Sequence, residues 1–224
     1  MAEDYKSVCN KFLQVLSEIS KDENRDKERP EVLETLNCIR LDFDCHLKVR
    51  FAQHGGHGDK SWFYCYAGEH DSYVNAYEKR TKKSSSFFTC YNYDEIYNVF
   101  NHLLIEPSPM GAWQAYLMLI ATHFLPTAWH GGYSKRSMIF TNDEYLKRIN
   151  RVTYKKPKVI PNFEDLSPSV TFDGNNATVM CHYWSPWRGL VKESVPMTFI
   201  GGKAYFLDAE HRDVLVKYDC GIRF

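Results

Sequence analysis

The chain reads as an α+β protein with an N-terminal helix, an antiparallel β-meander, a helical middle segment and a C-terminal antiparallel sheet. Three observations predict this. First, Ile39, Leu41, Phe43, Cys45, Leu47, Val49 and Phe51 alternate with Arg40, Asp42, Asp44, His46, Lys48 and Arg50. A helix repeats every ~3.6 residues, so a strict period of two marks a long strand with one face on a core and one in water. Second, Met110 to Leu125 is apolar nearly all round, the pattern of a buried helix. Third, two glycine-centred turn signals separate short β-like segments beyond Pro168.

In order along the chain, Tyr5, Val8, Phe12, Val15, Leu16 and Ile19 recur at three and four residues and predict a helix. Lys21 to Pro30 is almost wholly charged and reads as a solvated linker or a frayed extension. Pro30 suits the first turn of a short helix over Glu31 to Asn37. The long strand over Ile39 to Phe51 runs into the glycine-rich turn His54 to Asp59 and returns through Trp62 to Tyr66. Tyr73 to Glu78 and Phe87 to Tyr93 complete a four-stranded meander around an exposed Lys79–Ser86 turn. Asp94 caps a helix carrying Ile96, Val99, Phe100, Leu103 and Leu104, which Pro107 and Pro109 break. The buried helix then runs to Pro126. Met138 to Phe140 reads as a short strand, and Asn142 or Asp143 caps a helix through Ile149.

Arg151 to Pro168 is polar with three prolines and is the best candidate boundary. It divides the chain into 1–150 and 151–224, unless 1–224 is one single domain. Beyond it, Ser169–Phe172 and Ala177–Trp184 flank Asp173-Gly174-Asn175-Asn176, and Pro196–Ile200 and Lys203–Leu207 flank Gly201-Gly202. Val214 to Tyr218 makes a final strand.

Composition bounds the function. At 224 residues the chain can bury roughly 70% of its unfolded surface and needs no staple. Its 28 basic and 28 acidic side chains cancel, which disfavours nucleic acid as a partner. The seven cysteines form no CxxC pair, so neither a disulfide framework nor a zinc site is expected, and reduced thiols point to the cytoplasm. Met1 to Ser20 lacks the apolar run of a signal peptide, and no window has the ~18 apolar residues of a membrane span. No GxSxG, HExxH, P-loop or GxGxxG occurs, and no cofactor is expected.

What stands out is aromatic content: 15 Tyr, 14 Phe and 5 Trp. The densest set is Cys181-His182-Tyr183-Trp184-Ser185-Pro186-Trp187-Arg188-Gly189. Trp and Tyr offer stacking faces, and Arg recognises carboxylate or phosphate bidentately. Pro186 sits where a strand must end, and strand-end loops carry function. Trp129-His130-Gly131-Gly132-Tyr133 is a second aromatic–His–Gly loop. We take Trp129, His130, His182, Trp184, Trp187 and Arg188 as the candidate ligand-binding residues. The competing reading is that the tryptophans are core. On the binding reading, a partner protein or a small polar ligand is the expected occupant.

Other chemistry has weaker signals. His54 and His57, with Asp59 or His70, provide metal-ligand types on a turn that equally suits plain exposure. Cys181 or Cys90 with His102, His123 or His130 offers a Cys/His nucleophile pair, which only geometry can define. The even face of the long strand and the basic run Lys147 to Lys158 both read as solvated charge. The leading expectation is a non-catalytic binding or protein-interaction module. The alternative is a hydrolase or transferase with a Cys/His or metal-assisted site.

Overall fold

The computed structural model describes residues 4–19, 22, 27–54, 58–67, 99–124, 136–152, 155–157, 160–207 and 211–221. Within them the chain is α+β, with helices packed on antiparallel sheets. The predicted strands Tyr73–Glu78 and Phe87–Tyr93, the Asp94 cap and the Trp129–Tyr133 loop lie outside the described residues.

Helix α1 (Tyr5–Ile19) starts where Asp4 accepts the Ser7 N–H through its side chain at 2.9 Å. It buries Cys9, Phe12, Leu16 and Ile19. The charged segment after it is more than a linker. Lys27–Glu28 forms strand β1, paired with Val49 and Lys48. Arg29 behind it is buried and held by Asp22 at 2.9 Å and Glu31 at 3.3 Å. A buried guanidinium whose Nη1 is paired with two carboxylates is not what a linker reading anticipates. Helix α2 runs from Pro30 to Glu34, shorter than predicted.

The long alternating run is two strands. Strand β2 is Ile39–Leu41 and strand β3 is Cys45–His54, with a turn at Asp42, Phe43 and Asp44 between them. Asp44 takes φ 57°, a left-handed conformation that Asp tolerates better than most residues. Asp42 accepts the Phe43 N–H on its side chain and the Cys45 N–H on its carbonyl. Ile39, Leu47 and Val49 keep the inward parity, while Phe43 stands 94% exposed at the turn. Strand β4 (Gly58–Ala67) returns along β3 from His54↔Gly58 to Cys45↔Ala67, as the glycine-rich turn implied.

Leu103 and Leu104 are not helical. They lie in strand β5 (Leu103–Ile105), which pairs with β2, so the predicted helical stripe ends earlier. Pro109 opens the next helix, α3 (Pro109–Phe124), instead of only ending the one before. Helix α3 is the buried helix predicted: Ala112, Trp113, Tyr116, Leu117 and Met118 are all inside. Its one amide, Gln114, is satisfied by the Cys38 N–H at 2.7 Å and by Asn37 Oδ1 at 2.6 Å. Trp113 Nε1 donates to the Tyr5 carbonyl at 3.0 Å, tying α3 to α1.

Strand β6 (Ser137–Ile139) leads into helix α4 (Asn142–Asn150). Its cap is Thr141, one residue before the predicted Asn142. Thr141 Oγ1 takes the Glu144 N–H, and the Glu144 carboxylate reaches back to the Phe140 N–H at 2.8 Å, close to a capping box.

The C-terminal sheet is built on two long strands, β8 (Asn176–Ser185) and β9 (Gly189–Ile200). Strand β7 (Ser169–Asp173) and β6 share the outer edge of β8. Strands β10 (Lys203–Phe206) and β11 (His211–Lys217) share the outer edge of β9. Both predicted hairpin turns are present, with φ 59° and 77° at Gly201 and Gly202. Pro196 lies inside β9 at the place where β10 hands over to β11, and its carbonyl accepts the Leu207 N–H at 3.0 Å. Its missing N–H therefore faces a gap in the ladder.

One face of this sheet packs Val179, Cys181, Val195 and Met197 against α3 and α1 in a single cluster with Phe12 and Trp113. Core residues from both sides of the Arg151–Pro168 connection thus share one cluster. The other face packs Trp184, Leu190 and Val216 against Tyr145 and Ile149 of α4. Among the described residues, no helix is long and apolar enough to cross a membrane.

Candidate functional site

The aromatic-rich segment forms the end of β8 and the turn into β9. Strand β8 ends at Ser185, as Pro186 requires, and Pro186, Trp187 and Arg188 form a three-residue turn closed by Ser185↔Gly189. Gly189 has φ 92°, and a Cβ there would lie 1.9 Å from the Val216 carbonyl oxygen. Only glycine fits, for conformation and for space. The C-terminal segment braces this turn. Tyr218 N–H donates to the Arg188 carbonyl at 3.2 Å, and Cys220 N–H donates to the Pro186 carbonyl at 2.9 Å. Trp187 is half-buried and Arg188 exposed.

The residues beneath are buried. Trp184 is 3% exposed and stacks on Tyr218 with centroids 5.3 Å apart. His182 is buried, and its Nδ1 lies 3.0 Å from the Leu166 carbonyl. A carbonyl only accepts, so Nδ1 carries the proton. Burial lowers the His182 pKa, with the Leu166 bond opposing, so the ring favours the neutral form. Of the proposed set, Trp187 and Arg188 present surface, His182 and Trp184 support it from inside, and Trp129 and His130 lie outside the described residues.

A polar network lies on the α3 face of the same strands. Glu193 on β9 is fully buried. Its Oε2 accepts from Tyr116 Oη and from Arg136 Nη1, both at 2.7 Å, and its Oε1 accepts from Arg212 Nε at 2.6 Å. Cys181 Sγ donates to Tyr116 Oη at 2.9 Å. The Arg136 guanidinium lies over the Tyr183 ring, 4.8 Å from its centroid. Burial, with Cys181 and Glu193 adding to it, pushes the Tyr116 hydroxyl pKa well up. Burial also raises the Cys181 thiol, making it an inert buried thiol. Burial opposes the charge on Arg136, but Glu193 overrides it and raises that pKa. One sequence signal marks this network: Glu193 shares the inward parity of Val191, Val195 and Met197, so a charge falls on an apolar face.

Cys181 and His182 do not form a nucleophile pair. As neighbours on one strand they point to opposite faces, one to Tyr116 and the other to Leu166. A different Cys/His pair does occur: Cys45 Sγ lies 3.4 Å from His102 Nδ1 and 3.5 Å from the Phe43 carbonyl. Burial and Asp42 raise the Cys45 thiol pKa, while burial and Lys203 lower that of His102. Both shifts favour the neutral thiol and neutral imidazole over a thiolate–imidazolium pair. Among the described residues, no group of three or more His, Cys, Asp or Glu could hold a metal ion. His57 and His70 are outside the described residues. On the outer face of β3, His46 stacks on Tyr66 at 5.0 Å, and Tyr66 Oη donates to Glu28 at 2.8 Å. Lys147 and Arg148 sit in the last turn of α4, where the helix dipole favours cations.

No family model matches this chain, and neither the curated proteins nor the solved structures compared with it include a match.

Proposed function

We propose that the protein is a non-catalytic, cytoplasmic interaction module that holds a partner protein or small polar ligand on the Pro186–Arg188 turn. One observation carries this reading. The turn joins a half-buried Trp and an exposed Arg on a backbone held by two hydrogen bonds from the C-terminal segment. A braced turn has little left to lose on binding, and Trp and Arg are the side chains enriched at binding hot spots. Thiols at Cys9, Cys45, Cys65, Cys181 and Cys220, outside any disulfide, support the cytoplasmic placement. The test is the double variant Trp187→Ala/Arg188→Ala. Binding should be lost while the fold is kept; a variant that melts would assign both residues to the core.

The alternative, a hydrolase or transferase with a Cys/His or metal-assisted site, has one geometric observation in the Cys45–His102 contact, set against pKa shifts that favour the neutral forms of both groups. It predicts that Cys45 reacts with iodoacetamide faster than the half-buried Cys38 and Cys220, and that His102→Gln removes the difference. Equal rates would end it.

A further inference from the structure

We propose that the turn between β2 and β3 is a self-association surface, through which two copies of this chain pair about a two-fold axis with Phe43 as the central anchor. This surface is separate from the Pro186–Arg188 turn and does not rest on the reading of that turn.

Phe43 is 94% exposed, more than any other large apolar side chain among the described residues. A single exposed ring on a loose loop would mean little. This one is fixed. The Asp42 N–H donates to the His102 carbonyl at 2.8 Å, and the Asp42 carbonyl accepts the Cys45 N–H at 3.2 Å. One oxygen of the Asp42 carboxylate accepts the Phe43 N–H at 2.9 Å, and the other pairs with Lys203 Nζ at 2.7 Å. The Cys45 thiol donates to the Phe43 carbonyl at 3.5 Å. Asp44 completes the turn at φ 57°, a conformation that costs a non-glycine residue free energy and persists where the surroundings enforce it. Such strain gathers at functional positions, and a turn set in advance loses little freedom on binding.

Apolar surface continues on the neighbouring hairpin. Lys203 opens β10 opposite Ile200, which is 62% exposed. Tyr205, two residues on and on the same face, is 43% exposed. The Lys203–Asp42 bridge sets this face beside the Phe43 turn. An aromatic anchor with apolar neighbours and charges at its edge is the make-up of an interface core and rim.

Charge selects a second copy as the occupant. Arg40 and Asp44 flank Phe43, both are exposed, and no ion pair among the described residues holds either. Asp42, between them, is already neutralised by Lys203. A two-fold axis presents a surface to its own reverse, so Arg40 meets the partner's Asp44 and Asp44 meets the partner's Arg40. With 28 basic and 28 acidic side chains, the chain carries no net charge to hold its copies apart. An anionic lipid surface fits less well, because Asp44 would face it.

The experiment is analytical ultracentrifugation of the full chain over a concentration series, with a thermal melt of each variant. The mass should rise with concentration from one chain to two. Phe43→Ser should melt like the parent and raise the dimer dissociation constant roughly tenfold or more. Arg40→Asp and Asp44→Lys each put like charges across the axis, so each should stay a single chain alone. Mixed in equal amounts they should pair, because both opposite-charge contacts return. If Asp44→Lys melts early, Asp44→Asn, which tolerates the left-handed backbone, should still weaken the dimer severalfold with the melt unchanged. A parent chain that stays single throughout would overturn the dimer and leave Phe43 to a different protein. A dimer indifferent to Phe43→Ser would place the interface elsewhere and overturn this surface. A mixture that stays single would overturn the pairing of Arg40 with Asp44.

Discussion

The Trp184 ring lies stacked on the Tyr218 ring, with centroids 5.3 Å and planes 30° apart. The pair joins the end of β8 to the segment after β11. From that same segment the backbone N–H groups of Tyr218 and Cys220 reach the Arg188 and Pro186 carbonyls. Burial of one tryptophan thus fixes the platform that displays the next.

Trp184→Ala should therefore be a core lesion. Its ring is 3% exposed and packs with Tyr145, Tyr218 and Leu190. Deleting a buried Trp costs about 3–5 kcal/mol, and urea unfolding should show that loss. Trp187→Ala, half-buried at the turn, should cost less than about half as much. Equal losses would place both rings in the core.

Gly189→Ala should disrupt the turn. A left-handed non-glycine backbone costs about 1–3 kcal/mol, and the new Cβ would also meet the Val216 carbonyl at 1.9 Å. The expected result is a lower melting temperature, with the largest amide shifts at Arg188 and Val216. An unchanged melt would mean that β11 moves away freely.

Glu193→Ala should cost about 3–5 kcal/mol, because it strips the partner from the buried ends of two arginines and from the Tyr116 hydroxyl. Urea unfolding measures this directly. Adding Arg136→Ala to Glu193→Ala should cost less than the two separate losses combined, since the residues share one network.

Acid should weaken the fold through His182. Burial holds its pKa below the ordinary value of 6.5. The unfolded chain therefore takes up a proton there at a pH where the folded chain does not. The contribution is full above 6.5 and is lost as pH falls toward the folded value. His102 shifts the same way, also by burial. Urea midpoints at about pH 7.5 and 5.5 should differ less in His182→Gln than in the parent chain. An unchanged difference would mean that His182 is not the group responsible.

The architecture was readable where the pattern was local. The α3 stripe, the two glycine turns and the β3–β4 return follow from period and turn chemistry. What was not readable depended on partners distant in sequence. The break at Asp42–Asp44 preserves alternation on both sides, so period two cannot show it; only the aspartates flanking Phe43 hint at it. Leu103 and Leu104 fit a helical stripe until β2 arrives to pair with them. Lys27–Glu28 becomes a strand only because β3 lies beside it. For the site, the sequence located the aromatic turn but could not tell Trp184 from Trp187. They are three residues apart, and a turn stands between them. Pro186 marked that turn, but not which ring faced the core. The arginines around Glu193 come from elements scattered along the chain, and no spacing rule joins them.

The most direct test of the turn as a binding surface is one paired measurement on Trp187→Ala/Arg188→Ala: thermal melting beside partner or ligand binding. The account predicts a cooperative melt close to that of the parent chain and binding that is lost. A variant that melts far below the parent, or one that folds and still binds, would contradict it.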